Sequence, residues 1–252
     1  MKLLIYVSYL GTDFCGYQIQ KDKRTVQGEL NNAAKKLFSF DCDITGCSRT
    51  DSGVHANMFC ATVTKKGENS LLTDIDVQKI PRALNAHLPS DVSVWRAEWV
   101  DSDFHPRYGV RYKEYVYRIY NGRTRDPFEE GRSLHIPQTI SDEAVVKMND
   151  AASYFVGKHD FSAFMAQGST VETTVREVTY ASVEKTGDVI TFKVAADGFL
   201  YNMVRIMAGT LIAVAQGKIQ PDEIEGIIDS KKRELAGQTA APHGLYLNKV
   251  VY

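Results

Sequence analysis

The sequence predicts an α+β protein whose two halves share one element order. Three observations predict it. Short β-rich runs alternate in side-chain character along the chain, beginning with Leu3–Tyr9. Between some of them lie segments whose apolar residues fall on one helical stripe, such as Val26, Leu30, Ala33, Ala34 and Leu37. The order of a helix followed by strands returns after residue 141, without identity between the halves. A chain of 252 residues suffices for one large domain or two modest ones around a real core.

The first run ends at Gly11-Thr12-Asp13, a turn signal. A basic loop, Lys21 to Arg24, follows, and Thr25 is placed to cap a helix from Val26 to about Phe38. Asp41–Thr45 and Asn57–Thr64 alternate as strands, with Gly46–Ala56 as the loop between them. Residues 74–87 read as a second helix, with Ile75, Ile80, Ala83 and Leu84 inward and a kink or break at Pro81. Leu88–Asp91 is a turn, and Val92–Trp99 alternates as a strand. In the next strand, alternation puts tyrosines on one face and mixed charge on the other. Ser141 caps a helix to about Phe155, and Gly157 to about Thr170 is a polar loop. Val175–Glu184 and Val189–Ala196 pair as a hairpin. Asp197–Gly209 opens a long helix that apolar residues nearly encircle, so its burial is expected. Pro221 starts an acidic, solvated helix, Asp222–Asp229, and Gly244–Tyr252 is a final strand.

Composition narrows the function classes. The net charge of −1 sets up no global field for nucleic acid, so any such binding rests on local patches. One patch exists. From Arg107 to Arg125 there are six basic residues, Arg107, Arg111, Lys113, Arg118, Arg123 and Arg125, against one acid, Glu114. Tyrosines interleave, as in a positive groove with aromatic platforms for a single strand or loop of nucleic acid. The four cysteines show no Cys-x-x-Cys pair, which points away from a metal site and toward a reduced, cytoplasmic protein. The N-terminus lacks signal-peptide character, and no apolar run approaches membrane-spanning length.

The densest chemistry lies in Gly46-Cys47-Ser48-Arg49-Thr50-Asp51-Ser52-Gly53-Val54-His55-Ala56. Read locally, it is either a hairpin connection or a catalytic loop, and local chemistry slightly favours the first. No phosphate-cradling Gly-x-x-x-x-Gly-Lys, dinucleotide fingerprint or Gly-x-Ser-x-Gly elbow is present. A single carboxylate argues against ordinary glycoside hydrolysis, which uses two. Arg205, a guanidinium in an apolar helix, asks for an anionic partner, and Asp51 is the candidate.

Several ordered motifs then carry a resemblance over essentially the full length. They are Tyr9-Leu10-Gly11-Thr12-Asp13-Phe14 with Gly16-Tyr17-Gln18, Arg24–Leu30, the Arg49-Thr50-Asp51 loop and Phe104-His105-Pro106-Arg107. Further on come Tyr115–Asn121, His159–Phe164, Asn202-Met203-Val204-Arg205 and Ala241–Leu247. In these the chain resembles the TruA family of tRNA pseudouridine synthases. Tyr17 stands where that family often has Trp.

The resemblance implies two similar α/β halves, residues 1–104 and 105–252, sharing a central mixed, mainly antiparallel sheet with the active-site cleft between them. It implies that the uridine glycosidic bond is broken, the uracil rotated, and the base rejoined through carbon 5, with no metal and no cofactor. Asp51 takes the place of the catalytic nucleophile. Tyr115 takes that of the tyrosine that packs on the uracil, and Arg205 that of the arginine pairing with the aspartate. Arg49 matches the residue that fills the space of the flipped nucleotide. Lys21, Arg24, Arg107, Arg111 and Lys113 are candidate phosphate contacts. The implied partners are the tRNA anticodon stem-loop, at positions 38 to 40, and a second copy in a homodimer. A paralogue acting on other RNA uridines and a non-catalytic RNA-binding protein are the alternatives.

Overall fold

The structure is a computed structural model that describes residues 1–168 and 171–252. The chain forms two compact units, Met1–Arg111 with Leu247–Tyr252, and Tyr112–Tyr246. The architecture of each is α+β, with mainly antiparallel sheet.

In the first unit, β1 (Lys2–Tyr9) lies between β3 (His55–Lys65) and β4 (Val92–Val100), antiparallel to both. Its continuous apolar run, Leu3 to Val7, is buried along its whole length, as a central strand covered on both faces requires. β2 (Cys42–Gly46) pairs antiparallel with β3. The last strand, β10 (Leu245–Val251), is also bonded to β3, and Asn57 Nδ2 donates to Asn248 Oδ1 at 2.8 Å.

Helix α1 (Val26–Phe38) starts as its sequence predicts, with Thr25 extended and its hydroxyl accepting from the Gly28 N–H. Its stripe drifts, so Phe38 is buried at the end and Leu37 only half-buried. The second helix is shorter than expected. α2 runs Ile80–Asn85, and Pro81 sits in its first turn. A first-turn residue has no intrahelical N–H bond to lose, so this proline begins a helix rather than breaking one.

In the second unit, β5 (Tyr112–Tyr120), β9 (Val189–Ala196), β8 (Val175–Thr186) and β7 (Gly157–Asp160) follow one another, each antiparallel to the next. A two-residue strand, β6 (Leu134–His135), adds a parallel pairing to β5, so this sheet is mixed. β7 and a 3-10 turn, Phe161–Phe164, occupy what the sequence predicts as a polar loop. The last residues of that loop, Ser169 and Thr170, lie outside the described residues.

Asp160 explains the difference. Its Oδ1 accepts from Ser162 N at 3.1 Å, Ser162 Oγ at 2.8 Å and Thr174 Oγ1 at 2.5 Å, and its Oδ2 meets Lys231 Nζ at 3.0 Å. α3 (Asp142–Ser153), capped by Ser141, packs on β8 and on α4 (Met203–Ala215). The acidic helix α5 (Glu223–Ser230) is not purely solvated, since it buries Ile224, Ile227 and Ile228.

The β5 tyrosines do not share one face. Tyr115 and Tyr117 alternate with Tyr112, Arg118 and Tyr120. Tyr117 is fully buried and donates to the Ala241 carbonyl at 2.8 Å, a core role.

Candidate active site

The β2–β3 ladder ends where Cys47 N donates to the Cys60 carbonyl at 2.8 Å. Ser48 to Val54 then leave the sheet as a loop. The segment after β1 holds that loop from the side. Tyr9 Oη and Thr50 Oγ1 are 2.8 Å apart, and Tyr17 N donates to the Thr50 carbonyl at 3.1 Å. Ser52 Oγ and Gly53 N both donate to the Phe14 carbonyl, at 3.0 and 3.4 Å. Gly11 N donates to His55 Nδ1 at 2.9 Å.

Two glycines make the approach possible. A Cβ on Gly11 would stand 2.0 Å from the Val54 carbonyl oxygen. One on Gly16, whose φ is +80°, would stand 2.7 Å from the Thr50 carbonyl oxygen. The backbone on both sides of Asp51 is therefore fixed, while its side chain stays half-exposed.

This packing sorts the loop's functional groups. His55 is fully buried, and because Nδ1 accepts from a backbone N–H, its proton sits on Nε2. Ser52 donates its hydroxyl hydrogen bond to a carbonyl, and Cys47 is fully buried with its Sγ accepting from Cys60 N at 3.4 Å. All three act as scaffold. Arg49 is exposed next to Asp51. A half-exposed carboxylate on a rigid loop can attack an electrophilic carbon or take a proton. The neighbouring guanidinium can hold a phosphate.

The remaining candidates in this unit differ in freedom. Lys21, Arg107 and Arg111 are exposed. Arg24 is engaged. Its Nη1 and Nη2 donate to the two Asp91 carboxylate oxygens at 2.7 and 2.9 Å, its Nε donates to Glu29 at 3.2 Å, and its guanidinium lies 4.1 Å from the Phe14 ring centroid. The Asp91 hydrogen bonds raise its already high pKa further. The motif match at Arg24 carried no sign of Asp91, which is distant in sequence.

In the second unit, Tyr115 is 7% exposed, opposite Val194 of β9, and meets the Phe199 ring edge-on at 5.0 Å. Lys113 is half-buried on the same strand. Arg205 is half-buried rather than enclosed. Its Nε donates to the Ala240 carbonyl and its Nη1 to Asn202 Oδ1, both at 2.8 Å. The periodicity reading missed these neutral partners, although Asn202 lies one turn earlier on the chain.

Arg205 also acts on two neighbours. Burial raises the Tyr117 pKa and the Arg205 charge opposes that rise. Burial lowers the His243 pKa, Glu130 opposes, and Arg205 adds to the lowering. His243, in the short Pro242–Gly244 turn, thus belongs to the surroundings of Arg205. Among the described residues, no group of three His, Cys, Asp or Glu is placed to hold a metal, and no helix is long and apolar enough to cross a membrane.

Comparison with known proteins agrees with the motif reading. The family profile described as tRNA pseudouridine synthase matches residues 5–109 and 151–252. A tRNA pseudouridine synthase A of Acetivibrio thermocellus is 43% identical over 249 residues, covering 98% of each chain. Its Bacillus pumilus counterpart is 41% identical over 257 residues, covering 100% of this chain and 99% of its own. The Clostridium botulinum one is 41% identical over 248 residues, covering 98% of each. The profile match omits residues 110–150, where Tyr115 lies, but coverage of 98% or more carries the pairwise matches through that region.

Proposed function

The chain belongs to the tRNA pseudouridine synthase family, and from that premise we propose that it isomerises uridine at positions 38, 39 and/or 40 of the tRNA anticodon stem-loop. The enzyme class, an RNA isomerase acting on tRNA uridine, follows from the family. The target positions and the residue roles are the proposal. The observation that carries it is the loop geometry: Asp51 stays half-exposed beside exposed Arg49 while the backbone around it is bonded to residues 9–17.

In the proposed reaction, Asp51 is the nucleophile, at the ribose or at the uracil ring, and its bond to the substrate breaks again by the end of the reaction, which frees the carboxylate. The bond between ribose C1′ and uracil N1 breaks, and the uracil turns. A new bond joins C1′ to C5, the C5 proton leaves to solvent, and N1 takes up a proton. Tyr115 packs on the uracil and assists removal of the C5 proton. Arg205 is assigned to orienting the aspartate. Arg49 occupies the space of the flipped nucleotide.

Lys21, Arg107, Arg111 and Lys113 are assigned to phosphates. Arg24 joins them by exchanging its carboxylate partners for phosphate. Residues 1–104 carry the aspartate loop and residues 105–252 the tyrosine and arginine, in a cytoplasmic homodimer that needs no metal or cofactor.

Release of tritium from tRNA labelled at uridine C5 tests the reading. The protein is expected to release it from unmodified transcripts, with uridines 38 to 40 converted. No release above background at saturating enzyme overturns the isomerase assignment. Conversion confined to other uridines overturns the target assignment alone.

A further inference from the structure

The first unit carries an aromatic feature that the proposed reaction does not use. Tyr108 is 79% exposed, unusual for so large a ring. It is held in place nonetheless. Its ring lies on that of His105, with centroids 4.4 Å apart and planes 33° apart. The turn beneath is closed by Gly109 N donating to the His105 carbonyl, and Arg107 N donates to His105 Nδ1, both at 3.1 Å. Tyr252 ties down the same turn. Its hydroxyl donates to the Pro106 carbonyl at 3.0 Å, and its ring meets Phe104 edge-on at 4.9 Å.

The surroundings are polar and of mixed sign. Arg107 and Arg111 are exposed on either side of Tyr108 in sequence. Burial lowers the His105 pKa, and the Lys2 and Arg107 charges lower it further, so two cations act where the rings stack. The rings border an open cleft of about 600 Å³, which Asp101 and Asp103 also line. That volume falls within the roughly 300–1,000 Å³ of small-molecule sites.

We propose that His105 and Tyr108 form a stacking platform for one unpaired nucleobase of the RNA substrate, outside the Asp51 loop. This rests on the proposed action on RNA. Each part has a matching chemistry. A pre-stacked ring pair offers a π-face that any base can cover. Arg107 and Arg111 supply the charge for the adjoining phosphates. Asp101 and Asp103 take no phosphate. They accept hydrogen bonds from the amino and ring N–H groups of a base. Because it lies outside the Asp51 loop, the platform is suited to holding a neighbour of the target rather than the target uridine.

The test uses the full chain with Tyr108→Ala, Tyr108→Phe and Tyr108→Trp on unmodified tRNA transcripts. Tyr108→Ala is expected to raise Kd and KM by about 5- to 150-fold, the size of one lost base stack. Phe and Trp are expected to restore wild-type affinity, because they keep the ring. A transcript carrying 2-aminopurine at the platform-bound position loses fluorescence with wild type and keeps it with Tyr108→Ala. An alanine variant binding as tightly as wild type overturns the platform. So does one that instead changes the sedimentation of RNA-free protein, which marks the surface as a contact between protein copies. A wild-type protein that binds tRNA but releases no tritium removes the isomerase reading while leaving the platform judged by Kd.

Discussion

Much of the frame around Asp51 is held by its neighbours. Thr50, Ser52, Gly53 and His55 take the bonds to residues 9–17. Asp51→Asn keeps that frame and removes the charge. It is expected to abolish tritium release while RNA binding stays within a few-fold; retained turnover would remove Asp51 from the mechanism. The frame itself is testable at Tyr9. Tyr9→Phe deprives the buried Thr50 hydroxyl of a partner, and chemical denaturation is expected to show a loss of about 1–3 kcal/mol.

Asp160 sets a pH limit. The Thr174 hydrogen bond, then Lys231 and Ser162, hold its carboxyl well below the usual carboxylate range against the opposing effect of burial. A carboxyl lowered on folding stabilises fully above its unfolded pKa, near ~4, and loses that contribution as pH falls toward the folded value. Asp160→Asn is therefore expected to flatten the acid limb of a stability-versus-pH curve below about pH 4. An unchanged limb refutes the role.

At this scale the loop between β2 and β3 was legible, because turn formers and charge stood out in it. The bonds of Arg205 to Ala240 and Asn202 were not. Helical periodicity marks a charge on an apolar helix, but a backbone carbonyl from residue 240 leaves no local signal.

Helix α4 shows why. One side of it, at Arg205, Gly209 and Thr210, receives the segment of residues 237–240. Ala240 N donates to the Arg205 carbonyl at 3.0 Å, and Gly237 N donates to Thr210 Oγ1 at 2.9 Å. A Cβ on Gly209 would stand 1.7 Å from the Gln238 carbonyl oxygen. Gly209→Ala gains helix propensity but must push this segment away, for a net cost of about 1–3 kcal/mol. A lower thermal midpoint, with weaker turnover as the Arg205 bonds shift, is the expected result; an unchanged midpoint shows that the segment yields freely.

Elements with local start signals were read well. Thr25 and Ser141 both cap the helices their positions predict. Pro81 misled because one residue either breaks a helix or begins it, and only the turn at Asp76–Lys79 decides which. α5 misled because its surface acids outnumber the isoleucines it buries.

For the whole molecule, a net charge of −1 hides an uneven distribution. If Lys21, Arg24, Arg107, Arg111 and Lys113 each neutralise one phosphate, log K is expected to fall with log salt at a slope of roughly −4. Each alanine variant among them should reduce the slope by about one unit. A flat salt response refutes the phosphate assignments.

The halves visible in the sequence are consecutive, whereas the first unit includes residues 247–252. That return is long-range pairing with β3, which no local pattern encodes. It has a consequence during translation. The first unit is synthesised first and completed last, since roughly 135 residues of Tyr112–Tyr246 emerge before its closing strand. At about 5–20 residues per second, the edge of β3 that β10 covers stays open on the ribosome for about 7–27 seconds. During that interval the nascent chain presents an unpaired strand edge, the kind of surface that chaperones shield and neighbouring chains capture.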